Sequence, residues 1–424
     1  MSVESPVEQS PVASLRLKTG ADRRLRAGHL WIYSNEVNTD MTPLKGLSAG
    51  AVVVVEDARG HFVGMASVNP STLICARLYS LEQGCQLDRN LIALRLRQAM
   101  KLREQCFEKP FYRAIFGDSD LLPGLVVDRF GDYLSVQLTT AAMDSRRDEV
   151  IAALDEVFAP AGILLRNQGS FRTMEGLPEY VEVVAGDIPD RVELEENGVR
   201  FLAPLLTGQK TGWYYDHREN RQRLQHFAKD KSVLDVYSYV GGWGVQAAVA
   251  GASSVTCIDV SGDALALAQE NAVLNDYRGE FTTLQGKAND LMKSVLDQGR
   301  TYDLVVLDPP AFIKRRKDQR QGEKAYHQIN QLALRLLAPG GTLVSASCSM
   351  HLSREALMDV VKTAAAHRHR QLQVFAQGGQ GPDHPASGHC GNQLSESNFC
   401  PGYCRLRGAL ASRSAGGRPP SRNS

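Results

Sequence analysis

The chain has 424 residues, 43% of them apolar and 22% charged, with a net charge of +1. That length exceeds one ordinary core and predicts two or three domains. The near-zero charge excludes a protein that meets a polyanion over its whole surface, though not one with local basic patches, and no apolar run is long enough to cross a bilayer.

Residues 1–14, rich in Pro, Ser and Glu, lack the basic start and apolar middle of a signal peptide and read as a frayed leader. The eight cysteines (75, 85, 106, 257, 348, 390, 400 and 404) form no disulfide framework before residue 380, so a reducing cytoplasm is the expected setting.

Residues 15–88 read as a small β-rich domain. Val52–Val55 is a compact β-branched run, Arg59-Gly60 a turn, and Phe62–Ala66 and Leu73–Tyr79 two further strands. Residues 89–196 read as a central α+β domain. Leu91, Leu94, Leu96 and Met100 have helical spacing within 90–108. Strands are predicted at Leu125–Val127, Leu134–Leu138 and Ile163–Arg166, with Asp128–Asp132 as a hairpin turn and a helix over Asp148–Phe158.

From 197 to 385 the pattern changes to long βα units. Ser232–Val240 is a predicted strand ending in Gly241-Gly242-Trp243-Gly244, and Val255–Asp259 is the next. A helix follows over Asp263–Leu274, and Tyr302–Leu307 and Thr342–Ala346 are two more strands. Between these two, Ile329, Leu332, Ala333 and Leu336 share one helix face, stopped by Pro339-Gly340-Gly341. This alternation predicts an α/β, doubly wound parallel sheet with ligands at the strands' carboxyl ends. After His384-Pro385 the periodicity vanishes. Residues 386–424 read as a disordered tail, or as sequence from a shifted reading frame, and the one or two closing strands such a sheet needs are not found.

Val233–Gly242 is a buried strand turning into a glycine-rich loop. Its glycines allow close backbone approach to a ligand, and the next helix aims amides at it. Asp259 ends the following strand, where a carboxylate can accept both ribose hydroxyls. Gly242-Trp243-Gly244-Val245-Gln246-Ala247 also matches the dinucleotide pattern G-x-G-x-x-A, a weak signal alone. S-adenosylmethionine is favoured over a dinucleotide for three reasons. Asp235 can pair with the methionine amino group, the loop is rich in aromatics (Tyr237, Tyr239, Trp243), and Asp308-Pro309-Pro310 follows the fourth strand.

Asp308-Pro309-Pro310-Ala311-Phe312 and Ser347-Cys348-Ser349 end adjacent predicted strands. A carboxylate followed by two prolines at such an edge suits methyl transfer to a planar base. Carbon 5 of a pyrimidine is not nucleophilic until a thiolate has added to C6, which makes Cys348 the candidate nucleophile and Asp308 the group that holds the ring edge. The plainer alternatives are a small buried cysteine and a helix-capping aspartate. Cys390, Cys400 and Cys404 near His389 resemble metal spacing only loosely, and no metal is expected. Two basic patches stand out: Arg16, Lys18, Arg23, Arg24, Arg26 and His29, then Lys314, Arg315, Arg316, Lys317 and Arg320. Each can be a solvated face or a phosphate contact, and the second follows the Asp308 motif directly.

With these residues in view, the chain over 15–385 resembles the bacterial rRNA large-subunit methyltransferase I family, which methylates C5 of a cytidine in 23S rRNA. Arg23–Ser34 resembles its N-terminal PUA domain, an RNA-binding β-barrel. Gly117–Arg129 resembles its central-domain signature, and Lys210–Arg221 the segment leading into its Rossmann-like class I methyltransferase domain and packing beside the cofactor. Asp308–Phe312 and Ser347–Ser349 match its fourth and sixth motifs. The resemblance implies S-adenosylmethionine as cofactor, held by Asp235, Tyr237, Ser238, Gly241, Gly242, Asp259, Ser261 and Tyr215. It implies Cys348 as nucleophile with Asp308, and large-subunit rRNA as partner, met by Arg23, Arg24, Arg26, Lys314, Arg315 and Arg316. Two features depart from the pattern. Gly286-Lys287-Ala288-Asn289 puts a lysine where an acid usually faces the adenine, with Asp290 out of register, and the closing motif after His384-Pro385 is not recognisable.

The rival readings are a nitrogen-directed rRNA methyltransferase, which needs no cysteine at 348, and an RNA-binding assembly factor without turnover. A nicotinamide-dependent oxidoreductase rests only on G-x-G-x-x-A. No membrane partner is expected, and the oligomeric state is left open, a homodimer included.

Overall fold

The computed structural model describes residues 12–386 and 402–406, which divide into two compact units. Of the described residues, the first takes 12–219 and 380–386, and the second takes 220–379 and 402–406.

In the first unit, β1 (Ala13–Arg16), β2 (Trp31–Tyr33), β3 (Val52–Glu56), β4 (Phe62–Val68) and β5 (Ile74–Ser80) form one sheet in the order β1-β3-β4-β5-β2. A bridge between Leu17 and Val37 joins the chain just past the two edge strands, so the sheet closes on itself as the expected barrel. Leu15, Ile32, Val53, Val55, Val68 and Leu78 fill it.

A second sheet follows, in the order β10-β9-β8-β7-β6. Its strands are β6 (Phe111–Phe116), β7 (Leu125–Phe130), β8 (Tyr133–Leu138), β9 (Gly162–Asn167) and β10 (Tyr180–Gly186). Helices Arg89–Cys106 and Arg147–Phe158 cover it. The β6 and β10 strands were not expected. The β6 run follows a helix whose apolar spacing masks it, and β10 is an edge strand with outward valines. The barrel and this sheet count as one unit because they share a core. Met65 and Tyr79 of the barrel pack among the same buried side chains as Leu96 and Leu125. Asn69 also donates to the buried Glu175 carboxylate at 2.7 Å. A hairpin of β11 (Val192–Glu196) and β12 (Val199–Ala203) belongs here too, with β11 against β6 and β7, so the division falls after Glu219 rather than at 197.

The second unit is a seven-stranded sheet, β15-β14-β13-β16-β17-β19-β18. Its strands are β13 (Ser232–Val236), β14 (Ser254–Asp259), β15 (Glu280–Gln285), β16 (Tyr302–Leu307), β17 (Leu337–Ser345), β18 (Leu372–Gln377) and β19 (Gly402–Leu406). The first five are parallel, and β19 runs antiparallel to both its neighbours. The order reverses at β13, which has β14 on one side and β16 on the other; that reversal opens a crevice at the strands' carboxyl ends.

Three expectations change here. The strand predicted over Ser232–Val240 stops at Val236, because Tyr237 and Tyr239 take left-handed backbone angles (φ 65° and 49°) that no strand accommodates. The fifth parallel strand begins at Leu337 and runs through Pro339-Gly340-Gly341 instead of after it. The sheet also does not lack its close. After β18 the chain contributes residues 380–386 to the first unit, where the Asp383 carboxylate accepts from the Arg113 amide at 3.1 Å. It then returns as β19, between β17 and β18, with Cys404 buried. Residues 402–406 are too short and too mixed in composition to announce a strand by pattern. The leader over 1–11 and the rest of the tail lie outside the described residues, as do Cys390, Cys400 and His389.

A chain ended after residue 397 should lose β19 and leave β17 and β18 with open edges. The expected outcome is aggregate on size exclusion; a monomer with an unchanged melting profile would contradict the placement of this strand.

Candidate active site

Asp235 is the deepest charged group of the crevice. It sits on the central strand, fully buried, and Oδ2 accepts the Gly244 amide at 2.8 Å while Oδ1 has no hydrogen-bond partner among the described residues. Burial pushes its carboxyl up to about 7, against the pull of the Gly244 amide and with help from the nearby Asp308 and Asp259 charges. Gly244 has to be glycine for this contact. A Cβ there would stand 2.8 Å from Cys257 Sγ and 3.2 Å from Asp235 Oδ2.

The loop over 237–241 is held in a strained turn. The amides of Tyr237 and Ser238 both donate to the Ile258 carbonyl, Gly241 donates to Ser238, and Asn271 donates to the Val240 carbonyl. Left-handed angles at Tyr237, Tyr239 and Gly241 (φ 81°) make the turn. At the two tyrosines this costs of order 1–3 kcal/mol each. Gly242 then opens the helix Gly242–Val249. Asp259, at the end of β14, takes the Tyr239 amide on Oδ2 and the Ser261 amide on Oδ1, both at 2.9 Å. Ser261 caps the helix Gly262–Leu274 through its hydroxyl. Lys287 and Asp290 are exposed beyond β15.

Asp308 ends β16 and is half-buried, and Trp243 Nε1 donates to its Oδ2 at 3.0 Å. That bond ties the loop after β16 to the helix after β13. On the other side, Leu307 pairs with Ser345, which brings the chain past β17 alongside. Cys348 lies there half-buried, its thiol donating to the Pro309 carbonyl at 3.6 Å. Cys75, Cys257 and Cys404 differ: they are fully buried, and burial raises their thiols, to about 11 for Cys75 and Cys404, which keeps them protonated and inert. No disulfide joins the six described cysteines, and among the described residues no His/Cys/Asp/Glu group suits a metal ion.

The structure therefore brings together Asp235, Tyr237, Ser238, Gly241, Gly242, Asp259, Ser261, Asp308 and Cys348. Tyr215 belongs to the first unit, where its side chain is buried and its hydroxyl donates to the Arg129 carbonyl at 2.8 Å. Lys314, Arg315 and Arg316 are exposed and begin one residue after the buried Ile313. In the other patch Arg23 is exposed with no ion pair among the described residues. Arg24 is turned inward, bound to both oxygens of Glu36 at 2.8 and 2.7 Å and to the Trp31 carbonyl, and Arg26 pairs with Asp22 and Asp57. Arg24 thus holds the barrel's own loop.

Sequence reasoning passed over Tyr326, whose hydroxyl bonds both serines flanking Cys348. It also gave no hint of the Trp243 bond. Tyr326 shares a helix face with Ile329 and Ala333 and looks like ordinary core. Nothing in the spacing marks the Trp243 pairing.

The residues present fit S-adenosylmethionine: a buried carboxylate oxygen without a donor, a second acid beside an open loop, and a backbone free of side chains at Gly241 and Gly242. Among the described residues, no helix is long and apolar enough to cross a membrane.

Comparison with known proteins agrees. An S-adenosylmethionine-dependent methyltransferase family profile matches residues 148–387, and a PUA-like domain profile matches 15–81. A solved structure of SMU.776 complexed with SAH shares the fold, with a TM-score of 0.79 at 19% identity over 93% of this chain and 100% of that one. The ribosomal RNA large subunit methyltransferase I of Cronobacter sakazakii is 34% identical over 380 residues, 88% of this chain and 94% of that protein. The Vibrio cholerae protein of the same name is also 34% identical over the same shares. With one profile over the barrel, the other over six of the seven strands of the second unit's sheet, and likeness of this extent, the chain belongs to the S-adenosylmethionine-dependent ribosomal RNA large subunit methyltransferase I family.

Proposed function

We propose that the chain methylates C5 of a cytidine in large-subunit (23S) ribosomal RNA, with Cys348 as a covalent nucleophile. The observation that carries this reading is the Cys348 thiol at 3.6 Å from the Pro309 carbonyl, next to Asp308 in the chain and two strands along the sheet from the Asp235 cradle. The substrate class follows the names of the relatives, which are ribosomal RNA large subunit methyltransferases.

Bound S-adenosylmethionine supplies the electrophilic methyl that C5 takes. Asp235 Oδ1 would hold the ammonium of its methionine moiety, and Asp259 would offer the ribose hydroxyls the lone pairs left after accepting two amides. The backbone at Tyr237, Ser238, Gly241 and Gly242 lines the approach, with Ser261 at its rim. On the RNA side, the Cys348 thiolate bonds to C6 and moves electron density to C5. Asp308 holds the exocyclic amine or N3 edge of the ring. Once C5 carries the methyl group, loss of its proton to a base breaks the C6–S bond and returns the thiolate. Lys314, Arg315 and Arg316 take the phosphates near the target, and Arg23 serves the barrel. The closing strand β19 supports an intact methyltransferase sheet, which favours this reading over an RNA binder without turnover.

Cys348→Ala should abolish 5-methylcytidine formation on unmodified large-subunit rRNA while leaving S-adenosylhomocysteine binding intact, as read by mass spectrometry and calorimetry. Methylated purine from both proteins would move the assignment to a nitrogen-directed enzyme. Replacing Lys314, Arg315 and Arg316 by alanine should weaken RNA binding and reduce the slope of log affinity against log salt by about 2.

Asp235 gives a pH prediction. Its folded-state carboxyl, up at about 7 from an ordinary 3.8, binds a proton that the unfolded chain has already released. Stability of the ligand-free protein should therefore fall as pH rises from about 4 through 7. Cofactor affinity should rise over the upper part of that window, by up to about tenfold per pH unit below the carboxyl's pKa. Asp235→Asn should flatten both profiles, raising the ligand-free melting temperature at pH 8 while losing cofactor affinity. A wild-type affinity that stays flat from pH 6 to 8 would contradict the ion pair.

A further inference from the structure

The two serines flanking Cys348 are fully buried, and so is the phenol of Tyr326 on the helix Gln319–Leu336. Ser347 Oγ donates to the Tyr326 oxygen at 2.8 Å, and the Tyr326 hydroxyl and Ser349 Oγ lie 2.8 Å apart. The Ser349 amide donates back to Ser347 Oγ at 3.1 Å, closing a ring of three hydroxyl groups and one peptide. The Ile313 amide also donates to Ser349 Oγ at 3.1 Å, so the same ring grips the loop that begins at Asp308. Burial raises the Tyr326 phenol, which keeps its proton in place as a donor.

The ring system is clamped as well as bonded. Phe312 packs on the Tyr326 ring with centroids 4.8 Å apart. Gly322, one turn earlier on the helix, lets Ile313 and the Phe312 carbonyl come close; a Cβ there would stand 2.2 Å from Ile313 Cγ1. The aromatic body therefore has its own packing, and the oxygen alone makes the polar links. Buried networks of this kind fix one geometry when every member is satisfied. Between its two anchors the chain leaves a single side chain turned the other way, toward the Pro309 carbonyl, and that is Cys348.

We propose that Tyr326 is a positioning residue for the methyl-transfer reaction: through Ser347 and Ser349 its hydroxyl holds the Cys348 thiol against the Asp308–Ile313 loop. This rests on the reading of Cys348 as the nucleophile. It adds that the nucleophile's aim is set from the neighbouring helix Gln319–Leu336, through the two serines. Reacting atoms displaced by about 1 Å can cost about 10²-fold in rate, which sets the scale of the effect.

The test uses the full chain and the variants Tyr326→Phe and, as a second route to the same ring, Ser349→Ala. Methyl transfer to unmodified large-subunit rRNA gives kcat and KM. Iodoacetamide labelling of Cys348 against pH, followed on its tryptic peptide, reports the thiol's surroundings without any turnover. We expect kcat to fall about 10- to 100-fold in Tyr326→Phe, with KM and S-adenosylhomocysteine affinity within about twofold of wild type. Labelling of Cys348 at neutral pH should become severalfold faster as the thiol leaves the Pro309 carbonyl. Unchanged kcat, or a lowered kcat with an unchanged labelling profile, would overturn the proposal. So would loss of kcat, KM and cofactor affinity together with the fold. Full activity of Cys348→Ala would remove the nucleophile reading alone; the labelling profile would still report whether Tyr326 sets the thiol's position.

Discussion

The structure of the catalytic half turns on one buried carboxylate. Asp235 stands in the middle of a parallel sheet, between the apolar Leu234 and Val236, and a single backbone amide meets it. To deliver that amide, the chain must turn sharply after β13, which forces the left-handed angles at Tyr237, Tyr239 and Gly241 and forbids a side chain at Gly244. Both costs are local, and both make the same opening. A charged group kept under a bare loop is an expensive arrangement in a protein without its ligand, and it becomes favourable once a cation reaches the unused oxygen.

Around that point the crevice is assembled from pieces that are distant in sequence and stitched by single bonds. Trp243 reaches from the first helix to Asp308, and Cys348 reaches from the end of β17 to Pro309. The helix Gln319–Leu336 braces the outer side through Tyr326. Each stitch joins consecutive strand ends, so the order of strands in the sheet is also the order of functions on the proposed reading: ribose, methionine amine, target base, nucleophile. The exposed cations from Lys314 onward continue that sequence outward.

Much of this was legible before any coordinates. Apolar runs bounded by acids and glycines announced β13, β14 and β16, because a parallel strand buried on both faces leaves little else in its composition. Asp235, Asp259, Asp308 and Cys348 were readable for the same reason: a polar residue closing or interrupting such a run has to be explained. Side-chain pairings were not readable. Tyr326 and Trp243 sit at positions where an aromatic is what a core wants, and only three-dimensional placement distinguishes their polar ends. The bonds of Tyr215 and Arg24 were equally out of reach, since a motif match fixes where a residue stands in the chain and not what its side chain bonds to. The strand β19 was invisible because five residues carry almost no periodicity, and its identity comes from the slot it fills between two partners.

That slot has a consequence for how the protein is made. β19 follows β18 in the chain but is inserted between β18 and β17, and the chain visits the first unit in between. During synthesis the sheet therefore waits, with two adjacent strands unable to pair, until the residues after 400 emerge. Pairings this remote in sequence form late and slowly. A nascent chain at that stage exposes two unpaired strand edges, the kind of surface that chaperones hold and that neighbouring chains can invade.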